Sequence, residues 1–370
     1  MKKIFYFVAL ATLSLTSCSN DEVLNLQKDQ IKLNVFADNG SRASELFNSG
    51  EIHSKFYVSA VYKENVADEY FKCYFHNDEI ALEGGSWVNK TVSERYWPED
   101  ENMTLDFIAL NTQKISSNPV GQFGTFMVQY NVNEDVTKQE DLMYAVAKGQ
   151  SKKANNGAGV NLNFRHALSQ IVFNAENDNS SLKVVIKSIT INNISSVANF
   201  NFDLSADAGD TQEQYTQDAK GYAVKRPMQV SPIYYTAALK DYTVDFEDVT
   251  ILGEGFADLT LGNKDLTMLL IPQTRTAWDE ATENVAETNN AYFAVDYDVY
   301  NIGKDANGTE IVDHYTPIRT GVKYVPVTIN WEAGHKYIYT LRFLDLDKIV
   351  YNVTVDDFVA APVDNGVNMN

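Results

Sequence analysis

Apolar and polar residues alternate one by one in short runs over most of the chain. In Ile31-Lys32-Leu33-Asn34-Val35 the aliphatic side chains fall on one side and the polar ones on the other. Phe56 and Val58 keep the same period, as do Leu105, Phe107 and Ala109. Val160-Asn161-Leu162-Asn163-Phe164 is a further clean run, followed by Val184 and Ile186, then Ile189 and Ile191. Tyr337, Tyr339, Leu341 and Phe343 form a later one, and Ile349, Tyr351, Val353 and Val355 the last. Runs this short, broken by turn residues, predict antiparallel sheets with one face buried. Asn307-Gly308 predicts a tight hairpin turn. Past the first residues no long stripe of helical period appears, so the pattern predicts an all-β protein.

The polar interruptions predict the organisation. Lys148 to Gly159 holds no bulky apolar residue and reads as an exposed linker or long loop. A boundary near Gly157 gives an N-terminal domain over 28–156 and a C-terminal domain over 157–370, and 370 residues suffice for two cores. Ser205 to Lys220 and Thr274 to Asn290 read as polar loops of the second domain.

The first residues follow another logic. Met1-Lys2-Lys3 is a short basic start, and Ile4 to Leu15 is mostly apolar. About 20 apolar residues are needed to span a bilayer as a helix, so the run reads as a leader and not as an anchor. It ends in Leu15-Thr16-Ser17-Cys18, which resembles a bacterial lipoprotein signal. The resemblance implies cleavage after residue 17, acylation of Cys18 (diacylglycerol on the thiol, palmitate-type chains on the new amine) and a tether over 18–27. Two or three chains hold a protein firmly in a membrane, where one holds it marginally. An ordinary secretory signal that contains a Cys is the alternative. Ser19-Asn20-Asp21-Glu22 resembles the surface-export signal of Bacteroidetes lipoproteins, which points to the outer face of the outer membrane.

Charge and chemistry narrow the function. With 50 acidic and 30 basic residues the net charge is −20, which argues against a nucleic-acid partner. Two cysteines, one of them Cys18, leave Cys73 without an intramolecular disulfide partner. No Gly-x-Ser-x-Gly elbow, no His-Glu-x-x-His pair and no Gly-rich phosphate loop is present. Cys73 and His76 fall on opposite faces of a strand and read as packing or surface residues. Asp203, Asp207 and Asp210, and the run Asp305 to Glu310, are oxygen-rich but lack the spacing of a twelve-residue calcium loop, so they read as solvated turns, with Ca²⁺ binding in a calcium-rich medium as the alternative. The expectation is therefore no catalytic residue, no metal and no cofactor. Four tryptophans, Trp87, Trp97, Trp278 and Trp331, do not cluster in sequence, and Trp97 reads as core.

Five segments in order resemble the fimbrillin family of Bacteroidales, the subunits of lipoprotein-derived pili. They are Tyr96-Trp97-Pro98 with Leu105-Asp106-Phe107-Ile108-Ala109; Gln139-Glu140-Asp141-Leu142-Met143-Tyr144-Ala145; and Phe164-Arg165-His166-Ala167-Leu168 running on to Phe173. The fourth is Met268-Leu269-Leu270-Ile271-Pro272-Gln273, and the fifth is the closing pair of runs at Tyr337 and Tyr351. One departure is Phe358, where the family often has Trp. The resemblance implies two transthyretin-like β-sandwich domains in tandem. It also implies a fimbrial subunit or adhesin that reaches the surface as a lipoprotein and is cut by an Arg-specific protease. The first strand then leaves, and a strand from another pilin subunit replaces it. Here the strand is marked by Ile31, Leu33 and Val35, and the cut by Arg42 in the small, polar stretch Asn39 to Ser44. A surface arginine in a loop is the alternative reading of Arg42. His166 reads as structural. Partners implied are other pilin subunits, the outer membrane before processing, the protease, and a host or bacterial surface receptor. Two other functions stay open: a glycan-binding outer-membrane lipoprotein of a nutrient-uptake system, and a hydrolase on a β-sandwich.

Overall fold

The computed structural model describes residues 30–37, 55–64, 71–84, 86–111, 125–155, 157–203, 228–231, 239–260, 266–304, 310–312 and 316–358. Cys18, Arg42, the leader, all of 205–220 and the Asn307-Gly308 pair lie outside these residues.

The first half supplies β1 (Leu33–Ala37), β2 (Lys55–Tyr62), β3 (Lys72–Glu83), β4 (Ser86–Asn89), β5 (Thr104–Leu110), β6 (Thr125–Asn131), β7 (Met143–Ser151) and β8 (Val160–His166). Seven of them form one sheet in the order β1-β8-β7-β5-β2-β3-β4. Strands in a sheet lie about 4.8 Å apart, so β2 and β8, three places apart, stand about 14 Å apart in a flat sheet. Yet the rings of Phe56 on β2 and Phe164 on β8 meet edge-on at 5.3 Å, and Phe56 also meets Trp87 of β4 at 5.1 Å. The sheet therefore curls over its own apolar face. Phe56, Phe107, Leu162 and Phe164 are fully buried there, and Trp97 packs on Phe107 as core.

The second half supplies β9 (Ser169–Asn177), β10 (Leu182–Ser195), β11 (Val197–Asp203), β12 (Met228–Ser231), β13 (Leu239–Leu252), β14 (Gly255–Asp258), β15 (Met268–Leu270), β16 (Thr274–Arg275), β17 (Tyr292–Lys304), β18 (Glu310–Val312), β19 (Val322–Pro326), β20 (Ile329–Asn330), β21 (His335–Asp345) and β22 (Lys348–Asp357). One sheet runs β13-β10-β17-β18, with β19 also on β17; another runs β14-β9-β21-β22, with β15 also on β9. Their inner faces meet through Phe173, Phe293 and Tyr339, with ring centres 5.1 to 6.1 Å apart.

Three expectations change. Lys148 to Gly159 does not separate the two halves: its first residues end β7, a helical turn follows at Lys152–Asn155, and β8 then returns to the first sheet. Val160, Leu162 and Phe164 belong to the first core, so that unit runs past Gly157 to His166. The seven-stranded sheet is also buried on both faces at β5. Leu105, Phe107 and Ala109 join the first core, while Ile108 and Leu110 join the core of the second half. β6 extends this contact by pairing with β11 across the two halves. Finally, the pairing is mostly antiparallel, but β1–β8 and β9–β21 are parallel.

At the junction His166 is buried and hydrogen-bonds the Asp141 carboxylate, and its ring stacks on Phe358 at 3.8 Å. The main chain of Asp141 accepts from the Asn111 amide, and the Asn111 side-chain oxygen accepts from Met143 N. Phe358 thus fills the place after the last strand as an aromatic.

Candidate functional site

β1 begins as the alternating pattern dictates. Ile31 and Val35 are buried, Leu33 is half-buried, and Lys32 is exposed. The strand lies at the end of the sheet order, not in its middle. Its register on β8 is Leu33 to Val160, Asn34 to Asn161, Val35 to Leu162 and Ala37 to Phe164.

The two edges of β1 differ. Val160 N donates to Lys32 O at 2.8 Å, so the even-numbered backbone groups face β8. On the other edge Ile31 N donates to Arg95 O at 2.7 Å, and Gln30 bridges Tyr96. Backbone groups alternate sides along a strand, so those of Leu33 and Val35 face the same way as Ile31. Beyond Ile31 that edge opens onto a groove of about 1000 Å³. Val58, Phe75, Ile80, Leu82, Trp87 and Arg95 are among the residues that line it. The lining also includes residues of β4, which among the described residues pairs with β3 alone.

Arg95, on the groove's lining, is held in place by a buried carboxylate. Its Nε and Nη2 donate to the two oxygens of Asp78 at 2.7 and 2.8 Å, and its guanidinium lies 5.0 Å from the Phe75 ring centre. Asp78 is fully buried and also accepts from Asn89 Nδ2 at 2.7 Å. The hydrogen bond to Asp78 holds the Arg95 pKa above its ordinary value. A charge buried like Asp78 is tolerated because this bidentate pair and the amide satisfy it.

A second fixture lies on the β8 side. Asn34 Nδ2 donates to Ala158 O at 2.8 Å and to Asn161 Oδ1 at 3.0 Å, which uses both amide hydrogens. The amide lies over Gly159, which is buried and has φ +86°. A Cβ at Gly159 would sit 3.0 Å from Asn34 Nδ2 and would hold a strained φ, so the place favours glycine.

Ile31, Leu33 and Val35 are thus brought together in one seat beside an open groove. Cys18 and Arg42 lie outside the described residues. Sequence reasoning missed Asn34, Gly159, Asn161 and the Asp78–Arg95 pair. The one local signal was a glycine directly before the alternating run at Val160.

Cys73 and His76 hold no common ligand position. The β2–β3 pairing shifts register near them and Asn77 has φ +53°, so strict alternation fails there. His76 Nδ1 meets Ser59 Oγ, and burial pushes its pKa down. Among the described residues no three His, Cys, Asp or Glu side chains gather at metal-binding distance. Among the described residues Glu94 is the one carboxylate on the groove's lining. Trp97, Trp278 and Trp331 are buried, and Trp87 packs against Phe56, so none of the four is a bare flat platform.

A model of fimbrillin-like proteins matches residues 41–357. No curated protein matches the chain. A crystal structure of a fimbrial protein from Bacteroides vulgatus is similar in fold, with TM-score 0.59 and 15% identity, covering 90% of this chain and 100% of that one. A candidate cell adhesion protein from Bacteroides uniformis aligns with TM-score 0.46 and 12% identity, over 90% and 100% of the two chains. With the family model spanning both halves of the fold just described, the chain belongs to the fimbrillin-like family.

Proposed function

We propose that the protein is a non-enzymatic, surface-exposed fimbrial subunit or fimbrial adhesin. It is held first in the outer membrane through acylated Cys18. It assembles when an Arg-specific protease cuts after Arg42 and the β1 seat exchanges its strand for one from another subunit. Among the described residues β1 ends its sheet instead of standing centrally in it, where an exchanged strand was expected; what supports the reading is its second edge, which beyond the Ile31–Arg95 hydrogen bond opens onto the groove. Main-chain hydrogen bonds along such an edge give affinity, and the alternate side chains give register.

The energetics favour replacement over simple loss. Burying an Ile or Val side chain stabilises by about 1.5–3 kcal/mol, so Ile31 and Val35 hold β1 in place even after the chain is cut. A new strand with the same apolar side chains restores that burial. Cleavage permits exchange without itself unfolding the first unit.

Incubation of the mature protein with a trypsin-like, Arg-specific protease is expected to give SDS-resistant ladders, and Arg42→Ala to give none. Monomers in both cases, or equal ladders in both, would overturn proteolysis-triggered exchange.

A further inference from the structure

Alternation alone cannot align a strand in the β1 seat. A slip by one residue turns the apolar face outward and is excluded, but a slip by two keeps every aliphatic side chain inside. Something else has to distinguish those registers. The corner formed by Ala158, Gly159 and Asn161 does so, because it binds one side chain of β1 by a fixed set of contacts.

We propose that this corner is a sequence-reading subsite, and that any strand filling the seat must carry an asparagine there. The pattern it selects is aliphatic-x-aliphatic-Asn-aliphatic, laid parallel to β8 as Ile31-Lys32-Leu33-Asn34-Val35 is. The occupant is an extended strand of another subunit with that pattern. The proposal rests on the strand-exchange reading and adds its specificity.

The chemistry is narrow. The Ala158 carbonyl is an acceptor at the surface, so an aspartate is repelled by it and a leucine forfeits the direct hydrogen bond and leaves the carbonyl to water. Glutamine is longer by one methylene, while the amide has to lie flat over Gly159 with contacts of 3.0–3.2 Å to where a Cβ would be. Gly159 supplies the bare surface, and its φ of +86° sets the turn that aims the Ala158 carbonyl at the strand. A strand slipped by two residues places its amide elsewhere and loses both hydrogen bonds.

The test uses the full chain cut after Arg42 and fluorescent peptides spanning Ile31 to Ala37. Binding is followed by anisotropy as the peptide replaces the resident strand. The unaltered peptide is expected to bind saturably, and peptides carrying Asn34→Leu or Asn34→Asp to bind about tenfold more weakly, as the loss of two partly exposed hydrogen bonds requires. Protein carrying Gly159→Ala is expected to lose the discrimination between the Asn and Leu peptides. The peptide series keeps the test valid if that variant does not fold. Equal binding of the Asn and Leu peptides overturns the reading subsite while leaving exchange standing. No binding of any peptide overturns exchange itself, and the subsite with it.

Discussion

β1 and β9 are both paired in parallel with a strand distant in sequence, yet their second edges differ. β9 sits inside its sheet, with β21 on one edge and β14 and β15 on the other, and its Ile171, Phe173 and Ala175 are fully buried. Its ladder with β21 aligns eight residue pairs. β1 ends its sheet, aligns five pairs with β8, and leaves Leu33 half-buried beside a groove. The same type of pairing is therefore enclosed by neighbours on both edges in one place and, among the described residues, open along most of one edge in the other. Neighbours on the second edge make the difference, because they decide how many hydrogen bonds and how much apolar area a strand must give up to leave.

The largest expected effect is on the buried side of that comparison. Phe173→Ala removes the ring that meets both Phe293 and Tyr339 and should cost about 3–5 kcal/mol in urea unfolding. A loss below about 1 kcal/mol would mean that β9 is no better held than an edge strand. Next comes the ion pair on the groove's lining. Arg95→Ala leaves Asp78 buried with only the Asn89 amide, and should cost about 2 kcal/mol, reduced from the fully buried case because Arg95 is partly exposed. Hydrogen exchange at Ile31, whose N–H bonds Arg95 O, should accelerate in that variant. Val35→Ala is smaller, at about 1.5 kcal/mol for two buried methyl groups. It should speed proteolytic release of β1 without lowering the midpoint of the second half.

The smallest effect is a control within the first sheet, away from β1. Burial holds the Asp106 carboxyl above the ordinary carboxylate value, despite the hydrogen bond from Gly149 N at 2.6 Å. A raised value in the folded state means that the ionised form opposes folding. That penalty is complete above the raised value and vanishes below the ordinary one. Asp106→Asn keeps the acceptor and loses the charge. The variant should therefore melt higher than wild type at pH 7, with the gap closing as the pH falls through the carboxylate range. A gap independent of pH contradicts the assignment.

Much of the fold was legible in the alternation. The runs at Val160, Tyr337 and Ile349 are strands, and Trp97 is core, because period-2 burial is a local property of the chain. Which strand lies beside which is not local. β1 and β8 meet across about 125 residues, and nothing in either run says that the pairing is parallel. Lys148 to Gly159 misled for the same reason. A polar stretch that turns the chain back into one sheet has the composition of a stretch that links two domains. At the site, Ile31, Leu33 and Val35 were readable as one face of a strand. Asn34 looked like an ordinary solvent-side residue, since its partners Ala158 and Asn161 become neighbours only after folding. β5 escaped for a different reason: its two faces enter two cores, so Ile108 and Leu110 fall outside the alternation.

The central claim is that β1 can leave its seat while the rest of the fold stands. Native-state hydrogen exchange of the uncut protein, followed in low urea, measures this directly. β1 amides are expected to open through a sub-global event of lower free energy and small urea dependence, with β9 amides exchanging only through global unfolding. β1 and β9 amides that merge onto one global isotherm would contradict it.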